Sequence, residues 1–175
     1  MNDALDNLAA QAKGGRNFDN PPLDKWHPPL SGDMEIRITR DGTWFHEGGE
    51  IRRDALVRLF ASILRREEDR EYYLVTPVEK WRIRVALHPL IVTDVDSHEG
   101  SGGEGLQLTL NTGRQLFVDE EHPLFLEPAV GNIACVQLDH GLSALFSRAA
   151  WYRLVEMAVD GELVSRGYHF SLGQG

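Results

Sequence analysis

Residues 34–85 read MEIRITRDGTWFHEGGEIRRDALVRLFASILRREEDREYYLVTPVEKWRIRV, and their hydrophobic period runs from two to 3.6 and back to two. Met34, Ile36 and Ile38 alternate with polar residues, Asp41-Gly42 supplies a tight turn, and Trp44 with His46 starts a returning strand. From about Arg52 to Arg66, the spacing of Leu56, Phe60 and Ile63, widened by Val57 and Leu64, predicts an amphipathic helix. Tyr72 to Thr76 is rich in strand formers, Pro77 interrupts, and Trp81, Ile83 and Val85 alternate with Lys80, Arg82 and Arg84. Hairpin, helix and further strands in so short a stretch predict an α+β lobe.

Upstream, Leu5 to Ala12 is a short helix candidate, followed by Gly14-Gly15 and by the pairs Pro21-Pro22 and Pro28-Pro29 around Trp26. Proline pairs impose extended backbone, so residues 1–33 are expected as an arm on the surface, anchored by Trp26 and Leu30. Downstream, Leu90 to Val95 reads as a strand. Leu106, Leu108 and Leu110 alternate with Gln107 and Thr109, and Asn111-Thr-Gly113 turns the chain into Gln115 to Val118. The acidic residues 119–131 read as a loop with a short strand near Phe125, and Ile133 to Leu138 as the strand that closes the sheet. Leu142, Leu145, Phe146, Ala149, Tyr152 and Val155 predict a second helix ending near Gly161. Leu163, Val164 and Tyr168 to Leu172 add a last strand. The expected organisation is an arm (1–33), a first α+β lobe (34–85) and a second β-rich lobe with a C-terminal helix (86–175). In each lobe antiparallel strands pack on one amphipathic helix.

At 175 residues, with 42% hydrophobic content, the chain can bury a core. A net charge of -9 excludes general affinity for nucleic acid, which needs a basic surface. The acid is unevenly spread: residues 52–84 hold nine Lys/Arg against six Asp/Glu. The single cysteine, Cys135, forms no internal disulfide and suits a reducing compartment. With no signal-peptide pattern at MNDALDNLAAQAKGG and no long apolar window, a cytoplasmic protein without a membrane span is expected.

Motifs for chemistry are weak. Gly100-Ser-Gly-Gly-Glu-Gly105 has the letters of a dinucleotide loop, but a period-two strand follows where that loop would open a helix. Asp94, Asp96, His98, Glu99 and Glu104 offer metal-binding atoms. The calcium-loop pattern fails, because Gly100 is the seventh position and no Glu stands at the twelfth. Glu67-Glu68-Asp69 after Arg65-Arg66 reads as a solvated helix end. Cys135, in an apolar run, reads as inert, and no Ser lies in G-x-S-x-G. Arg52 and Arg53 fall at a helix start, where the dipole disfavours them, and Arg82 and Arg84 share the polar face of a strand, a pair that suits an anionic small molecule or an acidic partner segment; the alternative is that these arginines are solvated or paired with Glu50, Asp54 and Glu79. No catalytic residue, metal or cofactor is expected.

Asp41-Gly-Thr-Trp-Phe45, Gly48, Ile51-x-Arg53, Leu56-Val-x-Leu-Phe-Ala61, Leu64-x-Arg-Glu67 and Tyr73-Leu-Val-Thr-Pro-Val-Glu-Lys80 together resemble the bacterial family catalogued as domain of unknown function 1285 (DUF1285). The resemblance extends to Trp26-x-Pro28, Gly141-Leu-Ser-Ala-Leu145 and Ser147-Arg148, and departs at Ala86-Leu-His-Pro-Leu90. It implies a two-lobed α+β fold whose second lobe is a roll or partly open barrel, similar to a pleckstrin-homology domain, with a C-terminal helix. It also implies a role in signalling or regulation, and it transfers no catalytic residue. The expected function is a non-catalytic binding or regulatory module for a small molecule or a protein or peptide partner. Its groove between lobes would be lined by Trp44, Arg53, Glu67, Thr76, Glu79 and Arg148. A hydrolase-like enzyme using Glu and His from both lobes is the alternative.

Overall fold

A computed structural model describes residues 3–13, 21–100 and 103–173. The chain divides into two compact units, Met1–Leu87 with His140–Leu142, and His88–Asp139 with Ser143–Gly175.

The first unit is built on the segment quoted above. β1 (Gly32–Ile38) and β2 (Trp44–His46) form the expected hairpin, with Ile38 opposite Trp44. β3 (Gly49–Glu50) extends it, and β4 (Leu64–Arg66), β5 (Tyr72–Val75) and β6 (Lys80–Val85) complete a six-stranded sheet of order β3-β2-β1-β6-β5-β4. The β1–β6 pair is parallel and every other pair antiparallel. Along β1, Met34, Ile36 and Ile38 are buried and alternate with exposed residues, as period two requires of a sheet with one face on the core. Two helices pack in this unit, α2 (Asp54–Ser62) and α1 (Asp3–Lys13), the latter being the helix expected over Leu5 to Ala12 but packed on α2 and not held in a separate arm.

α2 is shorter than its periodicity implies: the helix expected to reach Arg66 ends at Ser62. Ser62 Oγ donates to Leu59 O at 2.5 Å, and the Ile63 carbonyl accepts from Val75 N at 2.9 Å. Leu64–Arg66 then pairs with Tyr72–Leu74 as a strand. Pairing with β5 satisfies these backbone groups as well as a helix would and also buries Ile63 and Leu64 completely, so tertiary context overrides local spacing. The N-terminal segment is likewise less superficial than expected. Leu8 and Leu23 are enclosed in the core, whereas Leu30, expected as an anchor, is 46% exposed. Arg65 Nη1 clamps the segment by donating to Leu23 O (2.8 Å) and Trp26 O (2.9 Å). Gly141 is obligatory in its place: φ is +73°, and an added Cβ would stand 2.8 Å from Arg66 O.

The second unit has the same strand plan. β7 (Leu90–Gly100), β8 (Gly103–Leu110), β9 (Gln115–Phe117), β10 (Leu124–Glu127), β11 (Ile133–Gln137) and β12 (Ser143–Phe146) form a sheet of order β10-β11-β12-β7-β8-β9. The β12–β7 pair is parallel, so each sheet is two antiparallel three-stranded ladders joined by a parallel pair. This sheet is open, with β10 and β9 at its edges. Two expectations are corrected here. Ile133 to Leu138 does not close the sheet but lies inside it, and Leu142 to Phe146 is not the start of the second helix. Ser143–Phe146 is a strand buried at all four positions, and α3 (Arg148–Met157) follows it. A central parallel strand is apolar on both faces, so its run of hydrophobic residues cannot be told from a buried helix turn by periodicity. Ser147 marks the boundary as N-cap, its Oγ accepting from Ala150 N at 3.2 Å. A hairpin of β13 (Glu162–Ser165) and β14 (Tyr168–Ser171) ends the unit, two strands where one was expected.

The architecture is therefore α+β, in two domains that each carry a six-stranded, mostly antiparallel sheet with helices, neither closed into a barrel. Among the described residues no helix is long and apolar enough to cross a membrane.

Candidate functional site

The six residues singled out from the sequence take different positions. Trp44 is 1% exposed and stacks on Phe60 with ring centroids 6.4 Å apart. Glu67 joins two cations: its carboxylate accepts from Arg65 Nη2 at 2.6 Å and from Lys80 Nζ at 2.9 Å. Partial burial alone would raise its pKa, but the hydrogen bonds and charges of Lys80 and Arg65 hold it below the ordinary carboxylate value. Thr76 is fully buried; its Oγ1 donates to Gln11 Oε1 (2.6 Å) and accepts from Glu79 N (3.0 Å), closing the turn between β5 and β6. Glu79 accepts from Trp81 Nε1 at 3.2 Å. Arg53, at the N-cap of α2, and Arg148, first residue of α3, are exposed. Trp44, Arg53, Glu67, Thr76 and Glu79 belong to the first unit and Arg148 to the second.

Arg53 is the one member of this set that lines a cleft of about 660 Å3 between α1 and α2. Leu5, Ala9, Leu56 and Leu59 contribute its apolar lining, and Lys13, Arg53 and Arg58 surround it with Asp6 as the single acid. Among the described residues, none of the three cations makes a side-chain hydrogen bond or ion pair. That contrasts with Arg52, Arg65 and Arg82, which pair with Glu50, Glu67 and Asp33. Sequence reading picked out Arg53 but missed Lys13 and Arg58. They join it only once α1 packs on α2, an association that spacing within either helix does not reveal.

A second constellation went unforeseen. In the second unit His88, in the turn before β7, donates to or accepts from Ser143 Oγ through Nδ1 (2.6 Å) and meets Glu127 Oε1 through Nε2 (2.7 Å). Cys135 Sγ lies 3.5 Å from the same Nε2, and donor atoms of His88, Glu127 and Cys135 all fall within 4.8 Å of one another. Burial, and secondarily the Glu127 charge, push the Cys135 thiol up to about 12. As expected from its apolar run, Cys135 is not an activated nucleophile. The residues come from β10, β11, β12 and a loop, separated by 39 to 55 positions for each hydrogen-bonded pair with His88, so no local spacing could signal them.

The motifs set aside earlier have structural uses. Asp94 and Asp96 pair with Arg153, whose Nε also donates to Val95 O at 3.1 Å. The glycine-rich letters begin at the end of β7 and run into β8; Ser101-Gly102 lie outside the described residues, as do Gly14-Gly15. Gly105 makes room for Arg166, which stacks over Phe117 at 4.7 Å; an added Cβ would stand 2.8 Å from Arg166 Cγ.

Comparison with known proteins fits this two-unit plan. The family model described as "Domain of unknown function (DUF1285), N-terminal domain" matches residues 21–86, and "Protein of unknown function (DUF1285), C-terminal domain" matches residues 89–172. The crystal structure of a DUF1285 family protein from Silicibacter pomeroyi DSS-3 is similar at 40% identity and a TM-score of 0.82, over 94% of this chain and 93% of that one. A DUF1285 family protein from Shewanella baltica OS155 is similar at 29% identity and a TM-score of 0.59, over 70% of this chain and 91% of that one. No curated protein matches the sequence.

Proposed function

We propose that this chain, which belongs to the DUF1285 family, is a non-catalytic binding or regulatory protein that holds a small organic anion with an aliphatic body in the α1–α2 cleft. The observation that carries the reading is the trio of Lys13, Arg53 and Arg58 around an apolar lining, without partners among the described residues, in a chain of net charge -9. What sets these cations apart is that three of them converge on one apolar-lined cleft in which Asp6 is the single acid. Three left open beside Leu5, Leu56 and Leu59 suit a ligand that brings both the charge and the hydrocarbon. Arg53 and Arg58 can each present a planar fork of donors to a carboxylate or phosphate. The wider reading is a role in signal transduction in the bacterial cytoplasm, with a second unit similar to a pleckstrin-homology domain. The packing of α3 on β7 and β12, and the single cysteine kept as a buried thiol, support it.

The test is calorimetric titration with dodecanoate and dodecyl phosphate, using dodecanol as the uncharged comparison. At least one anion is expected to bind, with the alcohol much weaker, and Arg53→Gln and Arg58→Gln each to weaken binding by roughly ten-fold, the worth of one charge-assisted hydrogen bond. Lys25→Gln, an exposed change away from the cleft, leaves binding unchanged. Equal binding of the alcohol, or wild-type affinity in both arginine variants, rejects the cleft as an anion site.

The hydrolase reading keeps one observation in its favour, the Ser143–His88–Glu127 hydrogen-bonded line. Ser143 is only 5% exposed, however, and a nucleophile needs open approach. Labelling of Ser143 by a fluorophosphonate probe in the native protein would overturn the non-catalytic reading.

A further inference from the structure

We propose that His88 Nε2, a Glu127 carboxylate oxygen and Cys135 Sγ form a three-ligand zinc site in the second unit, with Ser143 holding the imidazole from behind. The donors already converge. Around a tetrahedral zinc with bonds of about 2.0–2.1 Å to nitrogen, 2.0–2.2 Å to oxygen and 2.3 Å to sulfur, neighbouring ligand atoms stand roughly 3.4–3.6 Å apart. The Nε2–Sγ separation of 3.5 Å is that distance. The Nε2–Oε1 separation of 2.7 Å is a hydrogen bond and has to open by roughly 0.7 Å to admit the ion, which a small rotation of the Glu127 side chain provides. The other Glu127 carboxylate oxygen accepts from Ala129 N at 3.1 Å, which anchors the side chain beside the site.

The ring is set for the task. With Ser143 Oγ 2.6 Å from Nδ1, the serine can accept a hydrogen bond from Nδ1–H, which leaves the Nε2 lone pair facing Glu127 and Cys135, the arrangement that fixes tautomer and orientation in metal-bound histidines. Phe125, opposite Cys135 in the β10–β11 ladder, packs against the same ring with centroids 5.9 Å apart. Cys135 stands mid-strand on β11, Glu127 ends β10 and Ser143 begins β12, so three hydrogen-bonded strands fix the site. The donor set selects the metal class: one imidazole and one thiolate disfavour magnesium and calcium and favour zinc. A thiolate and a carboxylate also balance the two positive charges, leaving a neutral assembly in a largely buried place, at the cost of releasing the Sγ–H proton to solvent. The Glu127 side chain is 16% exposed, and a water entering on that side supplies the fourth ligand. The ion would tie the chain entering β7 to the β10–β11 edge ladder, serving as a structural or regulatory clamp.

The full chain, stripped with a chelator, is titrated with Zn2+ by calorimetry and with Co2+ by absorption. One ion per chain is expected, with a thiolate-to-cobalt charge-transfer band that disappears in Cys135→Ser. Ser143→Ala keeps the band and weakens zinc binding by roughly 10- to 100-fold, the usual effect of removing a partner that orients a ligand. Glu127→Gln, whose amide oxygen can still accept from Ala129 N, preserves the circular dichroism spectrum and loses at least as much affinity. Absence of a saturable site, a cobalt band that survives in Cys135→Ser, or wild-type zinc affinity in a folded Glu127→Gln each overturns the site.

Discussion

Replacing Trp44 separates two opposing contributions at the centre of the first unit. The indole is enclosed, 1% exposed, lies opposite Ile38 in the β1–β2 ladder and stacks on Phe60 of α2, so it joins sheet to helix. Its Nε1 donor has no hydrogen-bond partner among the described residues. Trp44→Ala empties the site and should cost about 3–5 kcal/mol, by lost transfer energy and the cavity left under Phe60. Trp44→Phe keeps most of the ring contact and also removes the unsatisfied N–H, whose burial costs about 1–3 kcal/mol. The two effects partly cancel, and a net loss below about 1.5 kcal/mol is expected. Urea unfolding followed by far-ultraviolet circular dichroism, with unchanged m-values, gives both numbers. For a unit of this size the alanine variant should lower Tm by at least about 12 °C. A loss below about 1 kcal/mol for Trp44→Ala would mean that the indole is not a packing anchor and serves as a binding surface. A phenylalanine variant as damaged as the alanine one would mean that the N–H is satisfied.

Cys135 should resist iodoacetamide in the native metal-free protein and react on unfolding: with the thiol pushed up to about 12, fewer than roughly one in 10^4 is thiolate at pH 7.5. Rapid native alkylation would contradict this. Glu67→Gln should cost about 1–2 kcal/mol at pH 7, since the carboxylate bridges Arg65 and Lys80. Its folded pKa is depressed from 4.5, so this stabilisation is present above the unfolded value and lost as pH falls through the folded one. The variant and wild type should therefore converge in urea unfolding at strongly acid pH, and a penalty independent of pH would refute the ion-pair account. Gly141→Ala combines a left-handed φ with a Cβ 2.8 Å from Arg66 O and should cost about 2 kcal/mol or more. A neutral result in thermal unfolding would show that the turn can relax.

Where local spacing and long-range pairing demand the same conformation, the sequence determined this protein by itself. The β1–β2 hairpin is written in Met34, Ile36, Ile38 and Asp41-Gly42, because period two with a turn dipeptide leaves the backbone few other solutions. The α+β class follows for the same reason, and motif residues such as Asp41-Gly-Thr-Trp-Phe45 sufficed for the family. Of the β7–β8 hairpin only Leu90 to Val95 and Leu106 to Leu110 were legible; pairing carries the two strands on to Gly100 and Gly103, through polar and glycine residues whose spacing signals no strand. Tertiary structure decided the rest. Leu64–Arg66 and Ser143–Phe146 have apolar spacing compatible with helix or buried strand, and only the partners β5 and β7 settle the matter through the backbone hydrogen bonds they offer. The same holds for chemistry. Arg53 was legible because a cation at a helix start contradicts the dipole. Lys13 and Arg58 become its neighbours only when α1 packs on α2. His88, Glu127, Cys135 and Ser143 meet only because the β10-β11-β12 ladder and the turn before β7 bring distant positions within hydrogen-bond reach. Sequence spacing reports neighbours along a helix face or strand, whereas a site assembled across several strands is defined by register, which the packed sheet alone specifies.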